Sequence, residues 1–301
     1  MALNRKSRIK DPVGDRVLTA VTTAILILII IIVGYPVLYV ISCSFSSAKA
    51  IGAGKVLLLP VDVTLAGYEF VFQYEQIWIG YRNTIFYTIC GVSITLFMDI
   101  MCAYPLSRPY FQGRGWYTAY LMATTIIGAG LIPTYIVKSS LGMVNTVWAV
   151  ILAGAISVHN VIILRTAFRS SIPGELFDAA EIDGANDFQC LVKIAIPLAK
   201  ATLSVITLYS IVGCWNEYFT AMIYLRDKNL FPLTLVLRTI LTAGQQLDMS
   251  GVSANMQNIV SEGTEQIKYC LIIVSTVPVL VAYAVVQKYF KKGVMIGSVK
   301  G

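Results

Sequence analysis

The sequence reads as an all-α integral membrane protein with about six transmembrane helices, and three observations carry that reading. Of 301 residues, 57% are hydrophobic and only 13% charged, far less charge than a soluble surface of this size requires. Mean hydropathy is +0.73. Between Val17 and Ala48 there is no charged residue at all, whereas a membrane-crossing helix needs roughly 20 mostly apolar residues.

Six spans follow in order along the chain. The first runs from Val17 to Ile41. Arg5, Lys6, Arg8 and Lys10 precede it, as in a signal peptide, but the run far exceeds a signal core of about 7–15 residues, so a retained first helix is expected. The second span covers Asn83 to Tyr104, the third Trp116 to Val137 and the fourth Thr146 to Leu164. The fifth covers Ala201 to Leu225 and the sixth Tyr269 to Val286. Helix breakers sit in three of them: Gly34-Tyr35-Pro36, Gly128-Ala129-Gly130 with Pro133, and Pro278. Proline frees a carbonyl and bends a helix axis, so these sites read either as ordinary membrane-helix residues or as flexing points around a pathway. Residues 46–82 and 226–268 form long external connections, and residues 165–200 form the large internal one. The whole chain, 1–301, reads as a single transmembrane domain.

The net charge is +7. The basic residues flank apolar runs instead of forming a patch, which argues for membrane orientation and against nucleic-acid binding. With both termini cytoplasmic, 15 of the 23 Lys and Arg fall inside, as the positive-inside rule requires. The six cysteines lie mostly within apolar runs and form no CxxC pair, and the lone histidine is His159. Buried thiols are therefore expected, and neither a disulfide frame nor a histidine-based metal centre. A GxxxxGK[ST] phosphate loop is missing from the sequence, so ATP chemistry has no seat in this chain.

The internal connection is the most informative segment. Pro173 suits a first helical turn, and Glu175 and Asp178 suit the positive end of the helix dipole. Phe177, Ala180, Gly184 and Phe188 fall on one stripe at helical spacing. Its mix of bulky and small residues suits a helix pressed into a groove on a partner. Gly184 permits a turn or close approach. No Lys or Arg lies between Arg169 and Lys193, unlike a helix that lies on a membrane surface.

The pattern Asp178-Ala179-Ala180, Gly184-Ala185, Ile194 and Pro197 resembles the EAA loop of ABC-importer permeases, with Asp178 where Glu is usual. Leu131–Tyr135, Leu141–Thr146, Ile162–Arg165, Trp215–Tyr218 and the closing Gly297–Gly301 are similar to carbohydrate-uptake permeases of the MalG-like family, LplC-like subgroup. The resemblance implies a type I ABC importer permease fold in a bacterial cell membrane. It implies that the 172–198 loop is a coupling helix for an ATPase, with Glu175, Phe177, Asp178, Ala179, Ala180, Asp183, Gly184, Ala185 and Phe188 at the contact. It further implies a second homologous permease, two ATP-binding subunits that hold the ATP and Mg, an extracellular sugar-binding lipoprotein and an oligosaccharide substrate. No cofactor is expected in this chain.

For the pathway, Trp215, Asn216, Glu217 and Tyr218 supply the aromatic, amide and acid groups that hold sugars or gate a mouth, and intramembrane acids usually have a role. Asn160, with His159, is placed either at the pathway or as a hydrogen bond between helices. Asp99 is expensive within a span and reads as functional, as reaching the interface, or as paired with Arg108. Both Asp99 and His159 depart from the family pattern. Import of a peptide or polyamine is the alternative within transport. A membrane enzyme needs convergent catalytic groups that do not appear, and a passive scaffold is argued against by the coupling pattern.

Overall fold

The computed structural model describes residues 13–170, 172–243 and 265–284. The N-terminal basic cluster at Arg5–Lys10 and the closing Gly297–Gly301 lie outside the described residues. In chain order the helices are α1 (Val13–Ser44), α2 (Ala48–Gly52), α3 (Ala66–Gln73), α4 (Glu75–Ser107), α5 (Arg114–Ile126), α6 (Leu131–Ser140), α7 (Trp148–Ile151) and α8 (Val158–Ser170). They continue with α9 (Glu175–Ile182), α10 (Asp187–Cys190), α11 (Ile196–Leu198), α12 (Lys200–Asn216), α13 (Phe219–Tyr224), α14 (Leu233–Ala243) and α15 (Glu265–Ala284). Among the described residues three helices, within α1, α4 and α15, are long and apolar enough to cross a membrane. The number rises to six when each of three sharply bent pairs is one span. Helices dominate because a chain in lipid has no water to satisfy its backbone groups.

The chain divides into two compact units. In the first, residues 42–71 wrap the end of α1 and the start of α15. Gln266 is buried and holds this unit together: Nε2 donates to Ser44 O at 3.1 Å and Thr64 O at 2.8 Å, and Oε1 accepts from Gly67 N–H at 3.2 Å. Cys43, Ala50, Ile51 and Val56 form its small core. The rest of α1 exposes its Ile, Leu and Val side chains all round, as a lipid- or partner-facing helix does. Pro36 lies within α1 without ending it.

The second unit is built on α4, against which α8, α12 and α14 pack. Asn83, Tyr87, Gly91, Thr95, Asp99 and Ala103 recur every fourth residue along it, and each is buried. Such a row is a ridge for neighbouring helices. At its outer end, Asn83 Nδ2 donates to Asn229 O (2.7 Å) and Phe231 O (3.0 Å), and Tyr87 donates to Leu230 O (2.8 Å). At its inner end, Ala103, Tyr104 and Leu106 join Val161, Leu164, Phe168, Cys190, Leu191 and Ile206 in the main core.

Breaks occur where the sequence signals them and also where it does not. The third span bends by 111° between α5 and α6, at Gly130, whose φ of +78° favours glycine. The fourth bends by 43° between Trp148–Gly154 and α8, with no proline at the break. The fifth span ends α12 at Asn216 and resumes as α13 at Phe219. By contrast, the helix continues through Pro36 and Pro278.

Candidate functional site

The 172–198 loop is not one amphipathic helix. α9 ends at Ile182, and Gly184 turns the chain at φ +78°. Asn186 and Gln189 then cap α10 reciprocally: Asn186 Oδ1 accepts from Gln189 N–H (2.9 Å), and Gln189 Oε1 accepts from Asn186 N–H (3.0 Å). Phe177 and Phe188 therefore sit on different helices, and the expected stripe does not exist as a single face.

The side chains of the loop also divide in direction. Phe177, Ala180 and Ala185 pack against the chain's own core. The Arg108 guanidinium lies over the Phe177 ring at 3.2 Å from its centroid and over Tyr104 at 4.6 Å. Arg108 is only 6% exposed, and its Nε and Nη2 have no hydrogen-bond partner among the described residues. Beside it, Tyr110 donates to Asp187. Burial, and then this bond, hold the Tyr110 phenol above the ordinary tyrosine range. Glu175, Leu176, Asp178, Ala179, Ile182, Asp183, Gly184 and Phe188 remain exposed, Ile182 at 87% and Phe188 at 67%. Two bare apolar side chains flanking a glycine turn are what a docking surface offers.

A second feature lies within the spans. A cavity of about 420 Å³ opens among α4, the fourth span and α12, and its lining includes Tyr87, Thr95, Ser157, Asn160, Tyr209 and Glu217. The volume is within the usual range of small-molecule sites. Lys and Arg are absent from its lining. Asn160 and Glu217, both expected at the pathway, are here; Trp215, Asn216, Tyr218 and His159 are not among the lining residues. Trp215 is buried and donates its indole N–H to Ser275 O at 3.1 Å. Asn216 is exposed and its Nδ2 donates to Val212 O of its own helix. Tyr218 carries Arg238 over its ring at 4.4 Å. Glu217 Oε1 caps α13 by accepting from Thr220 N–H at 2.8 Å. His159 is exposed.

Asp99 is fully buried and pairs with no cation among the described residues: Oδ1 accepts from Ser157 N–H at 2.9 Å and Oδ2 from Asn160 Nδ2 at 3.0 Å. Of the three readings of Asp99, pairing with Arg108 is not met: amide donors take its place, because Arg108 lies more than two turns away and turns to Phe177. One turn before Asp99, Thr95 Oγ1 donates to Gly154 O at 2.7 Å. The sequence carried a signal for this site: Asn83, Tyr87, Gly91, Thr95 and Asp99, polar or small residues at every fourth position inside an apolar span. Among the described residues, no group of three His, Cys, Asp or Glu could hold a metal ion, and the six cysteines are free thiols.

The chain matches no family model. It is 36% identical over 269 residues to the polygalacturonan/rhamnogalacturonan transport system permease protein YtcP of Bacillus subtilis, spanning 88% of this chain and 92% of that one. It is 35% identical over 266 residues to the protein LplC of the same organism, spanning 88% and 89%. Its fold superposes with a TM-score of 0.82 and 34% identity on a chain of a crystal structure of a bacterial ABC transporter involved in the import of the acidic polysaccharide alginate, covering 93% of this chain and 98% of that one. These likenesses extend over most of the chain, and they place the all-α membrane fold among type I importers. The chain belongs to the carbohydrate-uptake family of ABC transporter permeases, as a membrane-spanning transport subunit and not an enzyme.

Proposed function

We propose that this permease forms one half of the translocation pathway of an oligosaccharide importer, with residues 1–301 acting as one permease domain. A second homologous permease completes the pathway, an extracellular sugar-binding lipoprotein delivers the substrate, and two copies of an ATPase drive transport from the cytoplasmic side. Both termini then lie in the cytoplasm. The observation that carries the reading is the exposed pair Ile182 and Phe188 on either side of the Gly184 turn. Two hydrophobic side chains so bare on a charged internal loop offer a partner an apolar surface to cover. Phe177 and Ala180 brace α9 from behind and reach the ATPase through that helix, while Glu175, Asp178, Ala179, Asp183 and Ala185 edge or support the contact.

The cavity lined by Asn160 and Glu217 is taken as this chain's wall of the pathway. Its polar side chains on an otherwise apolar lining suit sugar hydroxyls, and the names of the relatives support an oligosaccharide over a peptide or polyamine. Trp215, Asn216 and Tyr218 shape the break that forms the wall. The test is purification of the complex carrying Ile182→Asp or Phe188→Ala, with ATPase recovery and substrate-stimulated hydrolysis measured. Removing an anchor of this kind costs about 2 kcal/mol or more, so recovery should fall about thirtyfold in affinity. Undiminished recovery and stimulation in both variants would sink the coupling assignment.

A further inference from the structure

Breaking a helix inside a membrane leaves backbone groups without partners, and lipid supplies none. At the break in the fourth span both loose ends are met by α4. The carbonyl of Gly154 accepts the Thr95 hydroxyl at 2.7 Å, and the N–H of Ser157 donates to Asp99 Oδ1 at 2.9 Å. Thr95 and Asp99 are four residues apart and so share one face of α4. The remaining oxygen of Asp99, Oδ2, takes the amide nitrogen of Asn160 at 3.0 Å. A primary amide nitrogen only donates, so this contact fixes which way the amide points. The Asn160 oxygen is left over; no donor among the described residues reaches it, and Asn160 lines the cavity.

We propose that Asp99 is a positioning residue for transport, orienting Asn160 so that the cavity meets a hydrogen-bond acceptor, and that this wall thereby selects the hydroxyl-rich, uncharged face of a sugar. The remaining lining agrees. Glu217 is its one charged lining residue, and the nearby Lys138 is already engaged by the Ala149 carbonyl, the Tyr224 ring and the charge of Glu217, so a carboxylate brought against this wall would face both an acid and an amide oxygen. Uronic carboxylates, if the cargo has them, turn toward the rest of the pathway. The proposal rests on the reading of the cavity as pathway, and the test separates the two.

Asp99→Asn keeps an oxygen for the Ser157 N–H and offers an NH2 to Asn160, which reverses the Asn160 amide and presents its nitrogen to the cavity. Complexes with Asp99→Asn, Asn160→Ala and both together are reconstituted in vesicles. Uptake is measured with a partial hydrolysate of pectin, which holds neutral and uronic oligosaccharides, each species being followed by mass. Each single variant should raise KM for the neutral species by about threefold to tenfold, the effect of one hydrogen bond, with a smaller change in kcat. Asp99→Asn should narrow the preference for neutral over uronic species, and adding it to Asn160→Ala should raise KM no further. A full additional increase in the double variant, or an Asp99→Asn variant with unchanged KM and preference, overturns the proposal. If Asn160→Ala alone leaves KM untouched, it is the pathway reading that fails, and the proposal with it. A second arm needs no cargo: thermal melting of the three purified variants should be non-additive, and strict additivity would show that the two side chains do not act as a pair.

Discussion

Arg108 shows how a single side chain joins two functional parts of this permease. It belongs to the end of α4, yet its guanidinium lies over Phe177 of α9. Stacking of this kind is worth about 2 kcal/mol when desolvated, and a lysine ammonium does not reproduce a planar stack. Arg108→Ala should therefore loosen α9, and limited proteolysis within residues 172–186 should accelerate about tenfold or more. Arg108→Lys should recover little of the protection, and wild-type cleavage rates in both variants would remove Arg108 from this role. Gly184 is a different case. A side chain there would meet nothing within 4 Å, but φ is +78°, so the cost of Gly184→Ala is backbone strain of about 1–2 kcal/mol. Melting temperatures of the purified complex should rank glycine above asparagine above alanine; equal values for all three would contradict the turn. One of the two effects was visible in the sequence. Gly184 stood out as a turn residue, while the partner of Arg108 could not be read, because Phe177 is distant in sequence and nothing local selects it.

The broken helices are held by neighbours, and that makes their stability testable. Thr95→Val keeps the volume of the side chain but removes the hydroxyl that meets Gly154 O. Losing a hydrogen bond of this kind costs about 0.5–1.5 kcal/mol, so the melting temperature of the complex should fall. An unchanged value would mean that the break is held by other contacts. Trp215 makes a similar case at the end of α12. Its buried indole donates to Ser275 O, so Trp215→Phe should reduce complex recovery and uptake in the same proportion. A loss of uptake with full recovery would return Trp215 to the pathway surface. The glycine-rich break before α6 was legible, since Gly130 adopts a conformation that other residues avoid. The bend at 155–157 was not, because its cause lies on α4, some sixty residues earlier in the chain.

For the chain as a whole, topology offers the most direct check. With the native cysteines replaced by alanine, an impermeant thiol reagent applied from outside should label Lys228→Cys and leave Asn186→Cys untouched until the membrane is opened. The reverse pattern would overturn both the orientation and the coupling assignment. Residues 244–264 of the final external connection, Gln245 among them, lie outside the described residues, so Lys228, next to the buried Asn83 anchor, is the better probe. Hydrophobic runs such as Val17–Ala48 were enough to establish that the protein spans a membrane, because the length of an apolar run is matched to bilayer thickness and needs no knowledge of neighbours. The pattern from Asp178 to Pro197 was enough to show the resemblance to the EAA loop, and Gly184 was legible as its turn, because turns are local chemistry. Only the folded chain decided that Phe177 and Ala180 face inward while Ile182 and Phe188 stay bare, that Trp215 braces and Asn160 lines a cavity, and that Asp99 answers a broken helix and not Arg108. In each of these the deciding partner comes from another helix, and a buried polar group takes whatever donor or acceptor packing brings within reach, which no local pattern along the chain encodes.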